Sequence, residues 1–206
     1  MNQPDRIPPQ PDHRAVEILE GVRLAFAEKG FDGASMQDLA RACGMSVGNF
    51  YRYFPSKAAI VAALVTRDLA EVESGFRFII ESADPMAALR AELRNRIIED
   101  QCQADGQIWA EMTAASLRKP EIAEITQQME TEITRYLTTV FARVRGITEE
   151  EALAAYSAHA TLLVMMIKAS AMHRLSDLNA REQLTALTIR TVNRILDEIV
   201  QADVRG

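Results

Sequence analysis

Cysteine is almost absent: the 206 residues hold two, Cys43 and Cys102, with no paired spacing. That excludes a disulfide framework and a cysteine zinc site, and it suits a reducing cytoplasm. Histidine is equally scarce. His13, His159 and His173 lie far apart with no ligand spacing, so no metal is expected. The longest apolar run, Leu162 to Ile167, is far short of the roughly 20 residues that cross a bilayer, and no membrane segment is expected. No alternating strand pattern with hairpin turns occurs, and no internal repeat. The only biased tract is the start, with Pro4, Pro8, Pro9 and Pro11; it has no apolar signal core and reads as a disordered arm over 1–11. Nor is there a nucleophile with its base, a carboxylate pair in a cleft pattern or a phosphate loop, so no catalytic residue and no cofactor is expected.

What is present is ordinary globular material. Apolar residues make up 48% and charged residues 25%, enough for a packed core. The formal net charge of -6 argues against a protein that coats nucleic acid without regard to sequence. The distribution matters more. Residues 1–60 carry equal numbers of basic and acidic side chains, so the acidic excess lies beyond them. Between Arg41 and Lys57 there are basic residues and no acidic one. A local positive face on an acidic protein suits a specific phosphate-bound site.

The punctuation is that of helices, about nine, and the fold class is all-α. Asp12 can cap a first helix with the inward stripe Ile18, Leu19, Val22, Ala25 and Phe26, stopped by Gly30. Ser35 with Asp38 forms a capping box for a short second helix ended by Gly44, and Ser46 caps a third that must end before Pro55. Ser56 restarts the chain as a long helix to about Ile80. Asp84-Pro85 opens a fifth, Asp105-Gly106 separates it from a sixth, and Pro120 opens a seventh that runs to Gly146. Thr148 with Glu151, and Asn179 with Glu182, read as capping boxes of the last two. The division expected is the arm, a helix-turn-helix module over 12–55, and a helical ligand-binding and dimerisation domain over 56–206.

Two short helices joined at Gly44-Met45 have the dimensions of a helix-turn-helix. The content of the second sets it apart. Gly48 costs roughly 1 kcal/mol against alanine inside a helix, which close approach to an outside partner would explain. Asn49 beside it can donate and accept at an adenine edge. Phe50 and Phe54 point inward and leave Tyr51, Arg52 and Tyr53 outside, where they can meet phosphates.

Over these residues the run EKGFDGASMQDLARACGMSVGNFYRYFPSK resembles the signature of the tetracycline-repressor (TetR/AcrR) family. The resemblance implies a three-helix DNA module and a variable helical domain that dimerises and binds a small molecule. It also implies roles: Ser35 and the amides after it at a phosphate, Val47 to Asn49 at bases, Tyr51 and Lys57 at phosphates, with Ser46, Arg52 and Tyr53 as flanking contacts. Met36 stands where members often carry threonine, which leaves a backbone amide as its contact. Expected partners are operator double-stranded DNA, a second copy of the chain, and a small apolar ligand that relieves repression.

Beyond residue 80 the resemblance names no ligand, and candidates come from the residues. Trp109, Met112, Thr113 and Ser116 share one side of the sixth helix and mix bulk with hydroxyls, as ligand cavities do; an ordinary core suits them nearly as well. Leu163 and Met166 could join them. Glu111 could neutralise a cationic ligand or lie on a solvated helix face. Leu162 to Ile167 is apolar nearly all round, so this helix can face its own core and a partner at once. Leu162, Leu163 and Met166, with Leu187, Val192 and Ile195 of the last helix, are the expected dimer interface. The rival reading is a small helical enzyme or a DNA-free adaptor, for which Gly48, Asn49 and Lys57 would be dispensable.

Overall fold

A computed structural model describes residues 13–99, 103–173 and 175–201, and with them nine α-helices and no strand. They are α1 (His13–Lys29), α2 (Met36–Ala42), α3 (Val47–Tyr53), α4 (Lys57–Glu81), α5 (Pro85–Glu99), α6 (Gln103–Ser116), α7 (Pro120–Arg145), α8 (Glu149–Met172) and α9 (Leu178–Gln201). The proline-rich arm, the Asp12 cap and Cys102 lie outside the described residues.

Most boundaries follow from capping chemistry. Ser35 and Asp38 make the reciprocal box of α2, and Thr148 and Glu151 that of α8. Ser46 and Ser56 cap α3 and α4 by accepting from Asn49 and Ala59 amides. Asp84 Oδ1 accepts from the Ala87 amide ahead of α5. Gly146 ends α7 at φ 65°, the left-handed conformation that glycine takes without strain.

Two expected boundaries differ. Asp177, not Asn179, opens α9: its carboxylate accepts from the Asn179 amide at 3.0 Å, and its carbonyl accepts from Arg181. Gly106 is no separator. It sits buried inside α6, where a Cβ would lie 2.1 Å from the Ala171 carbonyl oxygen of α8. The glycine lets two helix backbones touch, a packing role that reads in sequence like a turn signal.

The core has two parts. One gathers Ile18, Val22 and Phe26 of α1, Leu39, Phe50, and Ile60 and Leu64 of α4, and continues into Ile108, Met112 and Ala115 of α6 and Ile122 and Met129 of α7. Residues 12–55 therefore close no core of their own, and packing does not stop at residue 55. The other joins the rest of α4 to α5, α7, α8 and α9 through Phe76, Leu89, Phe141, Leu163 and Leu196. The 25 residues of α4 run through both, a rod of ~37 Å at 1.5 Å per residue.

Candidate nucleic-acid interface and adjoining cavity

The first helix of the module ends at Gly30 and the second at Gly44, both with positive φ (74° and 63°). At the inner turn the Gly44 amide donates to the Arg41 carbonyl and the Met45 amide to the Ala40 carbonyl, which satisfies the end of α2 and turns the chain into α3. Cys43 is half-buried in this turn, its thiol donating to the Ile18 carbonyl at 3.2 Å. Below α3, Phe50 and Phe54 stack obliquely with ring centroids 5.5 Å apart, both buried. They fix the outward face: Val47, Gly48, Asn49, Tyr51, Arg52 and Tyr53 are all exposed, and no atom lies within 4 Å of a Cβ built on Gly48. Ser46 is exposed too, its hydroxyl serving as the cap.

At the tip of α2 Ser35 is exposed, but its hydroxyl is engaged in the capping box. Met36 packs half-buried against the module core, so its side chain is turned away from the surface. By helix geometry the Met36 and Gln37 amides have no partner within the helix. Lys29 donates to Asp38 at 2.6 Å, and this bond, with those from Ser35, holds the Asp38 carboxyl well below the usual carboxylate range. The charge of this acid at the tip is thereby paired. Arg41, with a side chain 79% exposed on α2, adds a cation that the sequence reading counted in the local charge but did not assign.

Lys57 differs from expectation. Its ammonium donates to the Phe31 carbonyl at 2.7 Å and the Asp32 carbonyl at 3.2 Å, and lies over the Phe31 ring. Burial pushes its pKa down. Its charge is committed to the turn between α1 and α2, which sequence could not reveal because the partners are backbone atoms 25 residues away. The same turn is held from the other side. Glu111 of α6 accepts from the Phe31 amide at 2.7 Å, and Asp32 pairs with Arg118 at 2.8 Å and Lys119 at 2.9 Å. Glu111 thus joins the module to α6, a role neither sequence reading of it contained.

Behind this turn lies a cavity of about 350 Å³, walled by α1, α4, α5, α6, α7 and α8. Its apolar surface includes Trp109, Phe76 and Leu163. Met112, Thr113, Ser116 and Met166 do not line it: Met112 is buried in the first core part, and Ser116 donates to the Thr113 carbonyl. One residue of helical phase separates core from cavity here. What the sequence reading missed is charge. Arg23 of α1 pairs with Asp68 of α4, Arg67 with Glu20 and Glu71, Arg96 with Glu92, and Lys168 with Glu130, all on the cavity wall. Burial raises the Asp68 pKa, against the pull of Arg23.

Among the described residues no group of histidine, cysteine and carboxylate side chains could hold a metal. Of the expected interface, Leu162 and Leu187 are exposed (45% and 52%), but Leu163, Val192 and Ile195 are buried in the protomer's own core and Met166 packs against it. The exposed apolar side of α8 and α9 is instead Leu162, Met165, Leu184 and Leu187. By length and composition α8 could also cross a membrane, and it is the one such helix among the described residues.

Comparison with known proteins gives a family model, bacterial regulatory proteins of the tetR family, that matches residues 18–64. The chain is 38% identical over 84 residues to the HTH-type transcriptional regulator EthR of Mycolicibacterium smegmatis, covering 40% of this chain and 39% of that one. It is 30% identical over 125 residues to the HTH-type transcriptional regulator UidR of Escherichia coli K12, covering 58% and 60%. The alignments thus span about two-fifths to three-fifths of these relatives. The solved structure of Salmonella enterica GusR superposes with a TM-score of 0.73 over 94% of this chain and 98% of that one, at 24% identity, and shares the fold.

Proposed function

We propose that the chain, whose residues 18–64 match the family model of the bacterial regulatory proteins of the tetR family, is a dimeric transcription repressor of the cytoplasm. In this reading α3 of each protomer enters the major groove of a two-fold operator, and a small molecule in the cavity releases it. The observation that carries the reading is the outward face of α3, where Gly48 and Asn49 are exposed and a Cβ on Gly48 would meet nothing beyond its own helix, above an anchored Phe50–Phe54 pair. A residue with no side chain beside a short amide donor and acceptor lets backbone and amide approach base edges. Tyr51, Arg52, Tyr53 and Arg41 surround it at the height of the phosphates, and the α2 tip offers backbone amides.

Release follows from shared walls. Glu20 and Arg23 line the cavity from α1, the first helix of the reading module, and α4 carries both the module's core and the cavity's wall. A ligand that changes the angle between α1 and α4 changes the spacing of two reading heads. Coupling of this kind is typically worth 1 to 3 kcal/mol, about 5- to 150-fold in operator affinity.

The test is a gel shift with duplexes from the DNA flanking the chain's own coding region. A complex that survives excess random duplex is expected; its absence at micromolar protein overturns the reading. A DNA-free adaptor predicts instead that Gly48 and Asn49 can be replaced without consequence.

A further inference from the structure

The charges on the cavity wall are not evenly exposed. The cations Arg23, Lys168 and Arg67 have side chains only 12%, 22% and 26% exposed. Of their acidic partners only Asp68 is comparably covered (21%), whereas Glu130, Glu20 and Glu71 are 46%, 52% and 66% exposed. Three of the four wall cations are thus built into the wall, and their glutamate partners stand at its solvent edge; Arg96, 44% exposed beside Glu92 at 37%, is the exception. Such exposed partners contribute little to stability and swing away at small cost, whereas a desolvated cation left without a partner is expensive. An entering anion can therefore replace a glutamate, which water solvates, without leaving a desolvated cation unpaired; an entering cation would have to displace one of these covered arginines or the lysine.

Lys168 is the best placed. It projects from α8 over the Trp109 ring of α6, its nitrogen 5.8 Å from the centroid, and pairs with Glu130 of α7. The apolar surface of Trp109, Phe76 and Leu163 lies in the same cavity. Resting on the reading of this cavity as the effector site, we infer that the effector is an organic anion with an apolar body, its carboxylate taking the place of Glu130 on Lys168 and its body lying against Trp109. Arg67, held by two exposed glutamates, is the second anchor for a ligand with another acidic group.

Trp109 is the only tryptophan, so its fluorescence reports occupancy directly. The full chain is titrated with three non-absorbing probes of similar shape and different charge: cyclohexylacetate, 2-cyclohexylethanol and cyclohexylmethylammonium. The carboxylate probe is expected to bind at least about 10-fold tighter than the alcohol, as a charge-assisted bond allows, and the ammonium probe weakest. Lys168→Met should bring the carboxylate down to the level of the alcohol while leaving the alcohol's own affinity unchanged. Glu130→Gln should tighten the carboxylate alone. Equal binding of acid and alcohol, tighter binding of the ammonium, or an acid preference that survives Lys168→Met overturns the assignment of an anion. In each of these cases the cavity still binds, so the effector-site reading stands. Silence of all three probes overturns both.

Discussion

At the scale of single residues, reading and positioning separate by what each side chain already touches. Asn49 is exposed at the start of α3 and its amide nitrogen is used by the Ser46 cap, which leaves its side chain to the groove. Asn49→Ala should cost about 1 to 3 kcal/mol on the operator and much less on random duplex, with an unchanged salt slope. Arg52→Ala should weaken both about equally and flatten the salt slope by about 1. Fluorescence anisotropy at several salt concentrations distinguishes them, and identical behaviour of the two variants contradicts the docking of α3. Lys57 belongs to neither class. Its bonds to two carbonyls tie α4 to the α1–α2 turn, and hydrogen bonds to a charged group are worth about 1.5 to 3 kcal/mol. Lys57→Met should therefore lower the midpoint of urea unfolding. A variant that keeps full stability and loses only salt-dependent affinity would restore the phosphate role that the family resemblance implied.

At the scale of elements, two glycines inside helices make opposite predictions. Gly48 has open space around it, so Gly48→Ala should leave the fold intact or stabilise it by less than about 1 kcal/mol, while operator affinity falls. At Gly106 an added Cβ meets the backbone of α8, which no side-chain rotation relieves, so Gly106→Ala should cost at least the ~1 to 3 kcal/mol of an overpacked core. Thermal unfolding of both variants checks the contrast. The sequence reads Gly48 as helical and Gly106 as a separator; only the α8 backbone across space shows that Gly106 too is helical and that it alone is crowded. The α2 cap gives a pH signature. The folded Asp38 pKa lies below its unfolded value, so its contribution is fully present above the unfolded value and is lost as pH falls through the folded one. Amide exchange in α2 should rise selectively below about pH 4, the ordinary aspartate range, and Asp38→Asn should remove that dependence. The helices and the exposed face of α3 were legible because caps, stops and a dense local motif act over a few residues. The charged cavity wall was not, because the pairs that close it across helices join residues 38 to 47 apart, as Lys168–Glu130 and Arg67–Glu20 do.

At the scale of the whole molecule, the exposed side of α8 and α9 is where the proposed dimer would join. Leu162, Met165, Leu184 and Leu187 are 39% to 61% exposed on two neighbouring helices, whereas Leu163, Val164, Val192 and Ile195 on their other sides complete the protomer's core. A helix apolar on both sides is covered on both in its working state. A second copy fits best, because two such helices from each of two chains close a four-helix interface around a two-fold axis, and the same patch serves on both sides. Met165→Glu with Leu187→Glu places charges on that side and leaves the inner core untouched, so the double variant should stay folded by circular dichroism while it sediments as a monomer. The wild type should sediment as a dimer at micromolar concentration. Operator binding then falls by more than the interface alone accounts for, since a dimer holds two half-sites at once and a monomer one; a loss of about 100-fold or more is expected. Footprints should shrink from two half-sites about one helical turn apart, or a multiple of it, to weak single half-sites. A wild type that sediments as a monomer, or a monomeric double variant that keeps the full footprint, would mean that the two reading heads are not joined through α8 and α9.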